Sequence, residues 1–488
     1  MGSEKSGLDR LDQPSESPGS GPHVVVVGGG ISGLAAAAAL RTRGLTVTVL
    51  EGSPAIGGKL ALGEVAGVTV DVGAEAMLNR RPEATELARR SGLAERLVHP
   101  ATSAANLWSR GTLRPMPRTV MGVPADLRGL AAGGVVSRAG VARAALDLVI
   151  PPTRLEEDED VSVAQLVERR LGVEVVERLV EPLLGGVYAG HARELSARAA
   201  VPQVVALLQS GRSLVRAAAK TVDAAGSMQE VPVFAGLVGG VGQLPRAVAA
   251  SAGLDVRTDT AARRLTRRDG GGWLLEVGSA HAPQAMTAGA VVLATPAPST
   301  ARLLGEVAPD AAAELASVEY ASMAVVTLAL RAADLPETAG SGFLVPPVEG
   351  REVKAATYSF AKWDWVRAHG RESNDVLLLR CSIGRHREEH ALQGDDAELV
   401  ARVRAELSEA IGLVAQPVDT LVTRWGGALP QYAVGHVERV RRIRASLARE
   451  PGLAVCGAAY DGIGIAACVA SAELAVTQVL DGLVARGE

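Results

Sequence analysis

The sequence predicts an α/β protein whose nucleotide-binding domain is assembled from both ends of the chain. Near the N-terminus, the apolar β-branched run His23 to Val27 leads into a GxGxxG pattern and an alanine-rich segment, which indicates strand, turn and helix. Near the C-terminus, Leu453 to Val476 indicates a buried strand, a glycine-rich turn and a helix. The middle of the chain adds strands and helices. We therefore expect a discontinuous Rossmann-like domain, a mixed-sheet domain and a mainly helical insertion.

The glycine pattern predicts an anion site made of backbone. Gly28 permits a tight turn, Gly30 lets the backbone approach a pyrophosphate, and Gly33 lets helix and strand pack closely. Together with Ile31 and Ser32, these residues open a helix whose N-terminus attracts phosphate. The pattern predicts a dinucleotide site, with a plain glycine-rich turn as the alternative.

A carboxylate follows the next predicted strand. The apolar run Leu45 to Leu50 ends in Glu51, 18 residues after Gly33. A carboxylate at this place accepts hydrogen bonds from ribose hydroxyls, and it repels a phosphate on the same ribose. We therefore expect Glu51, with Gly52 beside it, to bind the cofactor.

The glycines that follow Glu51 favour a flavin over a nicotinamide. Gly57-Gly58-Lys59 and DVGAEAM, Asp71 to Met77, suit the close approach of a long, extended FAD. With the C-terminal strand, turn and helix, this arrangement resembles the amine oxidase-like FAD superfamily, in which N- and C-terminal segments close jointly on one FAD. The resemblance implies FAD contacts at Gly58, Lys59, Gly73, Ala74, Glu75, Ala76, Ala261, Trp425, Gly462, Ile463 and Gly464. For Trp425 it implies stacking near FAD, and a position in the core is the alternative.

The composition excludes several function classes. The chain of 488 residues carries a formal charge of -4, so we expect no nucleic-acid partner. Its three cysteines, Cys381, Cys456 and Cys468, form no CxxC pair. We therefore predict no disulfide framework, no metal site and no redox dithiol.

Two segments bear on location. Residues 1–22 are rich in Ser, Pro, Gly and acidic residues, which predicts a disordered N-terminal tail rather than a signal peptide. No uninterrupted apolar run of about 18 residues appears, so we expect a cytoplasmic protein without a transmembrane helix. Val135 to Pro152 alternates arginines with apolar residues. This alternation predicts a solvated helix beside a core face or, alternatively, a weak membrane-surface contact.

The elements between the two termini divide the rest of the chain. We expect a helix from Pro82 to about Val98, a hairpin in Asn106 to Pro117, strands in Leu254 to Val277 and a buried strand in Ala290 to Pro298. The predicted FAD-binding domain comprises residues 23–78, 230–300 and 425–488. The predicted substrate-binding domain comprises residues 79–113, 175–229 and 301–424, and a helical domain comprises residues 114–174.

Segments from the middle of the chain narrow the family. They are residues 182–204, 236–248, 320–330, 342–363, 378–385 and 424–440. Together they resemble the FAD-dependent porphyrinogen oxidases of haem biosynthesis, and the resemblance runs from about residue 23 to 480. Similar Gram-positive bacterial enzymes act on coproporphyrinogen III, whereas mitochondrial and plastid members act on protoporphyrinogen IX. Only five of the 50 basic residues are lysines, a usage typical of high-GC bacteria. It favours coproporphyrinogen III, with protoporphyrinogen IX as the alternative.

This resemblance implies a six-electron oxidation. Aromatising a porphyrinogen removes six electrons, so a two-electron flavin turns over three times. The ring nitrogens can exchange protons themselves, and we therefore assign no catalytic side chain. With one GxGxxG and no dithiol in the sequence, we expect O2 to accept the electrons and yield hydrogen peroxide. A quinone or another acceptor is the alternative.

Carboxylates on such a substrate require a basic partner, and an arginine binds a carboxylate with two parallel hydrogen bonds. The resemblance places Arg81, in GAEAMLNRR, near a propionate of the substrate. Arg80 is the competing residue, and a surface arginine without a ligand is the alternative.

Four further residues are implied on the wall of the tetrapyrrole pocket. Gly186 and Tyr188, in LGGVYAG, match a loop that faces the macrocycle in relatives. Lys354 and Tyr358, in KAATYS, are placed to line the pocket. For Gly186 a plain turn is the alternative. For Lys354 and Tyr358 the alternative is a buried strand residue whose side-chain tip is hydrogen-bonded.

Other functions remain open at this level. An amine oxidase would place two aromatic residues before the flavin, and aromatic residues make up only 3% of the chain. A carotenoid enzyme would need a long apolar tunnel and membrane attachment. From a different class, the chain could be a non-catalytic FAD- and porphyrin-binding protein. We also expect a monomer or a homodimer, and transient contact with a ferrochelatase.

Overall fold

The computed structural model describes residues 22–156, 158–227 and 232–487. The predicted disordered tail, residues 1–22, lies outside the described residues except for Pro22. In chain order the described strands are β1 His23–Val27, β2 Thr46–Leu50, β3 Leu62–Val65, β4 Val68–Asp71, β5 Met77–Leu78, β6 Leu97–Val98, β7 Asn106–Ser109, β8 Thr112–Pro115, β9 Thr119–Val120, β10 Val123–Pro124, β11 Phe234–Leu237, β12 Asp255–Arg257, β13 Ala262–Arg267, β14 Trp273–Ser279, β15 Ala282–Ala288, β16 Ala290–Leu293, β17 Tyr320–Arg331, β18 Gly342–Leu344, β19 Val353–Tyr358, β20 Val376–Ile383, β21 Asp419–Pro430 and β22 Leu453–Val455. The described α-helices are α1 Ile31–Thr42, α2 Pro82–Ala88, α3 Leu127–Gly133, α4 Arg138–Ala145, α5 Val163–Leu171, α6 Val173–Val175, α7 Glu181–Tyr188, α8 Ala197–Ala200, α9 Pro202–Ser210, α10 Leu214–Ser227, α11 Leu244–Ser251, α12 Ala297–Leu304, α13 Pro309–Ala316, α14 Ser359–Lys362, α15 Asp364–Glu372, α16 Asp396–Ile411, α17 His436–Leu447 and α18 Ile465–Arg486.

A five-stranded parallel sheet, in the order β12-β2-β1-β16-β22, forms the centre of the cofactor domain. Its central strands are apolar and buried on both faces, as expected for a parallel sheet that is covered on both sides. Helices α1, α2, α11 and α18 cover one face. The small sheet β13-β14-β15, with α12, α13 and α17, covers the other face. The strands from the two ends of the chain, β1 and β22, therefore lie on either side of β16, and the predicted α/β fold class is confirmed.

Helix α18 is long and apolar enough to cross a membrane by length and composition. Its apolar residues pack in the core against α1 and α2. On α1, Ala36 and Ala37 are fully buried, and such small side chains allow the two helices to approach closely. The apolar composition of α18 is thus explained by its place inside the cofactor domain.

A seven-stranded sheet, in the order β21-β17-β20-β19-β18-β7-β8, forms the second unit. Its neighbouring strands are antiparallel except for the parallel pair β18 and β7, so the sheet is mixed as predicted. Helix α16 packs on one face through Leu399, Val403 and Leu407. The other face adjoins α7 and the loop that follows β4.

The helices from α3 to α10 share one hydrophobic core. Leu130, Leu166, Leu184 and Leu214, on four of these helices, are buried in the same cluster. The boundary expected at residue 174 therefore falls inside a single packed unit, because residues 175–227 continue the helical segment that precedes them. Whether these segments act as separate domains remains a prediction.

The single helix expected from Pro82 to about Val98 is wrong. Helix α2 ends at Ala88, and a π-helical turn, Arg89–Leu93, and a 3-10 turn, Ala94–Arg96, lead into β6. Gly92 has a φ of 80°, a left-handed conformation that breaks a regular helix and that glycine adopts at little cost. Strand β6 then pairs with β11, so a tertiary contact overrides the helical spacing.

Candidate cofactor and substrate site

A cavity of about 420 Å³ lies at the carboxyl ends of the parallel strands. The loops that follow β1, β2, β16 and β22 line it, which is where open α/β sheets bind their ligands. N-terminal and C-terminal segments thus form one site, as the resemblance implies.

The first turn of α1 forms a cradle of backbone groups. Gly28 has a φ of +113°, and a Cβ added at Gly33 would lie 2.0 Å from the Gly28 carbonyl oxygen. Only glycine fits at these two positions. A Cβ added at Gly30 would meet no atom of the described chain within 4 Å, so Gly30 borders open space in the cavity.

Two helix N-termini meet at this cavity. Helix α1 begins after Gly30 and α18 begins after Gly464, and neither has a side-chain cap among the described residues. Their first-turn N–H groups are therefore free to bind a ligand, and the helix dipoles favour negative charge there. Ile31 and Ile465, the first residues of these helices, both line the cavity.

Glu51 lies at the cavity wall in a fixed orientation. Its Oε2 accepts a hydrogen bond from the Gly29 N–H at 2.7 Å, and its Oε1 accepts one from the Ser53 N–H at 2.8 Å. Each carboxylate oxygen keeps a second lone pair for a ribose hydroxyl. The geometry fits the dinucleotide role predicted for Glu51.

Lys59 also lines the cavity. Burial lowers the pKa of its ammonium, and its side chain forms no ion pair within the described ranges. Its loop is joined to the glycine cradle by the hydrogen bond from Gly57 N–H to Gly29 O, 2.8 Å long. These observations fit a role for Lys59 opposite the polar part of a flavin nucleotide.

The loop after β4 is clamped from both sides. A Cβ added at Gly73 would lie 2.0 Å from the Lys59 carbonyl oxygen, so this loop packs directly behind the cavity wall. The Trp425 indole Nε1 donates to Val72 O at 3.0 Å. Arg380 Nη2 donates to Gly73 O at 2.7 Å. The seven-stranded sheet, through β20 and β21, therefore holds this loop in place.

Glu75 forms ion pairs with Lys362 and Arg380 behind the same loop. Burial alone would raise the pKa of its carboxyl, but the two cations hold it at about 2. Glu75 is therefore ionised at neutral pH. The arrangement fastens the loop to β20 and α14.

Tyr432 fixes the turn that precedes α18. Its hydroxyl donates to Ala458 O at 2.5 Å and accepts from Gly462 N–H at 2.9 Å. Its ring stacks on His436 at 3.9 Å between centroids, and a His436 ring nitrogen lies 3.0 Å from Tyr460 O. Burial lowers the pKa of His436 to about 4, so a neutral imidazole supports the turn.

The predicted cofactor residues fall into two groups. Those that line the cavity are Gly28, Gly30, Ile31, Ser32, Glu51, Gly52, Gly58, Lys59, Ala74, Ala261 and Ile463. Those that lie outside the lining are Gly33, Gly73, Glu75, Ala76, Trp425, Gly462 and Gly464. The second group contains the residues that hold the first in position, and their direct contact with FAD remains a prediction.

Sequence reasoning missed part of the wall. Ser299, Arg302, Tyr320, Pro430 and Cys468 line the cavity as well. Tyr320 begins β17 and is paired with Pro430, which ends β21. The Tyr320 hydroxyl accepts a hydrogen bond from Ala297 N–H at 2.8 Å. Ser299 and Arg302 lie on α12 and Cys468 on α18. Tyr320 and Pro430 reach the cavity through the register of the second sheet, and no local motif signals that register.

Arg81, the predicted propionate partner, lies on the surface. Its side chain is 44% exposed and forms an ion pair with Glu83, with Nη2 and Oε1 2.6 Å apart. Arg81 occupies the position before α2, outside the cavity lining, and Arg80 is exposed too. This placement gives neither arginine a contact with the cavity, and the propionate role of Arg81 remains a prediction.

The other predicted substrate residues separate onto two faces of the seven-stranded sheet. Gly186 and Tyr188 end α7, and the Tyr188 carbonyl accepts from Gln431 Nε2 at 2.8 Å. Burial raises the pKa of Tyr188 to about 12. Lys354 reaches Met323 on the same side. Tyr358 instead packs in the core cluster with α16, which gives its ring a packing role.

The comparisons with known proteins define the class first. Residues 31–480 match the family described as flavin containing amine oxidoreductase. The chain therefore belongs to this family of flavin-dependent oxidoreductases, and the prediction of FAD is confirmed.

Relatives within the family are more specific. The chain is 38% identical to the coproporphyrinogen III oxidase of Mycobacterium tuberculosis (strain ATCC 25618 / H37Rv), over 94% of this chain and 97% of that protein. It is 31% identical to the coproporphyrinogen III oxidase of Bacillus subtilis (strain 168), over 94% and 98% of the two chains. A crystal structure from Exiguobacterium sp. 255-15, described as a candidate protoporphyrinogen oxidase, has a TM-score of 0.81 at 31% identity and covers 94% of this chain and 99% of that one. The predicted resemblance to porphyrinogen oxidases is confirmed.

Proposed function

We propose that this protein oxidises coproporphyrinogen III to coproporphyrin III in haem biosynthesis, with FAD as cofactor. The observation that carries the proposal is the similarity to coproporphyrinogen III oxidases over 94% of the chain. Because the similarity covers 94% of the chain, it extends beyond the cofactor domain to the second sheet and α7, and function depends on the site rather than on the shared fold.

The cavity residues would hold the cofactor in a defined orientation. The uncapped N-terminus of α1 suits the pyrophosphate, Glu51 suits the ribose, and the N-terminus of α18 suits the flavin end. When bound, FAD supplies a two-electron acceptor, so three cycles account for the six electrons removed. The pair Tyr320 and Pro430 brings the edge of the second sheet to the same wall, so a substrate held against that sheet lies beside the cofactor.

We propose O2 as the final electron acceptor. Each cycle would transfer two electrons and two protons to O2 and release one hydrogen peroxide. The cysteines do not suit a thiol relay, because all three are buried and free. Burial raises the pKa of the Cys381 thiol to about 12, which leaves it protonated and unreactive.

The test uses the purified FAD-loaded protein with coproporphyrinogen III and protoporphyrinogen IX in parallel, in air. Porphyrin fluorescence and peroxide release are recorded together. We expect faster oxidation of coproporphyrinogen III with one peroxide per two electrons. A clear preference for protoporphyrinogen IX would overturn the substrate assignment, an alternative that the Exiguobacterium structure supports.

An anaerobic experiment separates catalysis from binding alone. Addition of coproporphyrinogen III without oxygen should bleach the flavin absorbance if the protein is an oxidase. Tight porphyrin binding without bleaching would identify a non-catalytic binding protein instead. Monomer or homodimer, transient contact with a ferrochelatase and a cytoplasmic location remain predictions.

A further inference from the structure

Two buried cations lie on the face of the seven-stranded sheet that adjoins the cofactor domain. Lys354 is 2% exposed and Arg385 is 4% exposed. The hydrogen-bond partner of Lys354 Nζ is Met323 Sδ at 3.9 Å, and a thioether is a weak acceptor. Buried charges are normally paired, yet within the described ranges Lys354 forms no ion pair.

Arg385 has one unmatched edge. Its Nη1 donates to Arg351 O at 3.0 Å and lies 3.5 Å from Glu388 Oε2. Its Nε and Nη2 are buried and have no partner among the described residues. These two atoms form the edge of a guanidinium that binds a carboxylate with two parallel hydrogen bonds. A buried donor without an acceptor is costly, so this edge is prepared for a ligand that the protein does not itself supply.

The two cations flank a single residue. A Cβ added at Gly384 would lie 3.1 Å from Met323 Cα, so the chain just before Arg385 packs on the Met323 backbone. Lys354 contacts the side chain of the same methionine. Burial, and then the charge of Arg385, lower the pKa of Lys354 to about 7. An anion bound between the two cations would stabilise the charged form of Lys354 against both its burial and the charge of Arg385.

Acidic neighbours do not fill this gap. Glu388 is half-exposed and pairs weakly with Nη1. Glu406 and Glu181 also interact with Arg385 through space. The Glu406 oxygens accept from the Glu352 and Val353 N–H groups. Glu181 Oε1 accepts from Ala192 N–H at 3.0 Å, and its Oε2 is buried without a partner among the described residues. None of these carboxylates accepts from Nε or Nη2 of Arg385.

The position of the pair suits a substrate of the cofactor site. Met323 lies on β17 three residues after Tyr320, which lines the cofactor cavity. At roughly 3.3 Å per residue the separation along the strand is about 10 Å. His386, the residue after Arg385, donates its N–H to Ala189 O at 2.7 Å. This hydrogen bond joins the segment that carries Arg385 to the end of α7. The two cations therefore lie between the cofactor cavity and α7.

We propose that Arg385 and Lys354 bind one carboxylate of the substrate, with Met323 as a movable cover. The proposal rests on the proposed function, because a porphyrinogen carries its carboxylates on side chains of the macrocycle. Arg385 receives both carboxylate oxygens on its Nε and Nη2 edge, and Lys354 adds a second positive charge. Methionine is unbranched and has three rotatable bonds, so Met323 can turn aside to admit the ligand.

The kinetic test compares coproporphyrinogen III with its tetramethyl ester in the same detergent. For Arg385→Gln and Lys354→Met we expect kcat/KM for the acid to fall about 10- to 100-fold, mainly through KM, as loss of a charge-assisted hydrogen bond implies. Rates with the ester and FAD content should stay the same. Arg385→Lys keeps the buried charge but not the two-pronged edge, so it should fold and still lose part of the preference for the acid.

Arg402→Gln is the matched control. Arg402 lies on α16, on the opposite face of the sheet, and forms an ion pair with Glu352. Its removal changes the charge equally and should alter neither substrate's kinetics. Equal losses for acid and ester in the Arg385 and Lys354 variants would overturn the proposal and leave both residues a structural role.

A binding measurement separates this proposal from the proposed function. Coproporphyrin III and its tetramethyl ester are titrated into the FAD-loaded protein without turnover, and porphyrin fluorescence is followed. A preference of the wild type for the acid that Arg385→Gln abolishes would support the carboxylate site even if no oxidation occurs. Oxidation by the wild type, with the same acid preference in every variant, would overturn the carboxylate site and leave the function standing.

Discussion

The cofactor cavity and the Arg385–Lys354 pair are built in opposite ways. The core of the cavity is made of backbone, from the glycine cradle Gly28 to Gly33, which is continuous in sequence, and from the N-termini of α1 and α18. The cation pair is made of two side chains, one from β19 and one from the segment that follows β20. Backbone sites depend on conformations that few residues can adopt. Side-chain sites depend on sheet register. Substitutions of these side chains can therefore change substrate specificity without disturbing the binding of the cofactor.

The largest effect is expected at Gly33. Gly33→Ala would place a Cβ 2.0 Å from Gly28 O, so strand and helix must separate, and we expect a loss of about 3 to 5 kcal/mol in the free energy of unfolding. Gly30→Ala is the matched control, because its Cβ meets no described atom within 4 Å. That variant should keep the stability of the FAD-free protein and bind FAD more weakly. Denaturant unfolding and FAD titration measure the two effects, and equal stability of both variants would contradict the cradle.

A smaller effect is expected at the contact between the two sheets. Glu75→Gln leaves Lys362 and Arg380 without their carboxylate and should lower the free energy of unfolding by about 3 kcal/mol at pH 7. The pKa of Glu75 is about 2 in the folded protein, below its unfolded value. Its contribution is therefore complete above the unfolded pKa and is lost as pH falls toward 2. Urea unfolding of both proteins from pH 7 to pH 3 should show the difference shrinking, and a pH-independent difference would refute the assignment.

Tyr432→Phe should lower the free energy of unfolding by about 1 kcal/mol, since it removes a hydroxyl that links two backbone groups of the turn before α18. FAD should also dissociate faster, because that turn lines the cavity. Tyr358→Phe provides the comparison, since the Tyr358 hydroxyl is buried without a partner among the described residues. Its loss should leave stability and KM unchanged. Thermal unfolding and flavin release rates test both variants, and a raised KM for Tyr358→Phe would restore its predicted substrate role.

The smallest effect is expected at Arg81. Its ion pair with Glu83 is solvent-exposed, and such pairs contribute about 0 to 1 kcal/mol. Arg81→Ala should change stability by less than about 0.5 kcal/mol and leave KM for coproporphyrinogen III near that of the wild type. A marked rise in KM for the acid and not for its ester would return the propionate role to Arg81.

Local physics explains which features the sequence predicts. The cradle at Gly28 to Gly33 and the carboxylate of Glu51 follow from short-range geometry, and Gly28, Gly30 and Glu51 line the cavity. Tyr320 and Pro430 reach the same wall only through strand pairing across 110 residues of chain, and no spacing rule reports such pairing. The break in the helix after Ala88 likewise depends on β6 pairing with β11.

The orientation of side chains on the second sheet has the same origin. A bulge in β19 between Val353 and Ala355 interrupts the register, and Lys354 lies at this irregularity. Because alternation along a strand sets which face each residue occupies, one extra residue decides that Lys354 and Tyr358 serve different faces. A single sequence does not reveal a bulge of this kind.

The pairing of β1 with β16, and of β16 with β22, has a consequence for biosynthesis. The ribosome makes the glycine cradle long before the opposite wall of the cavity, which β22 and α18 supply. A nascent chain therefore has no complete place for FAD until α18 has left the exit tunnel. A chain cut short before α18 would lack this wall.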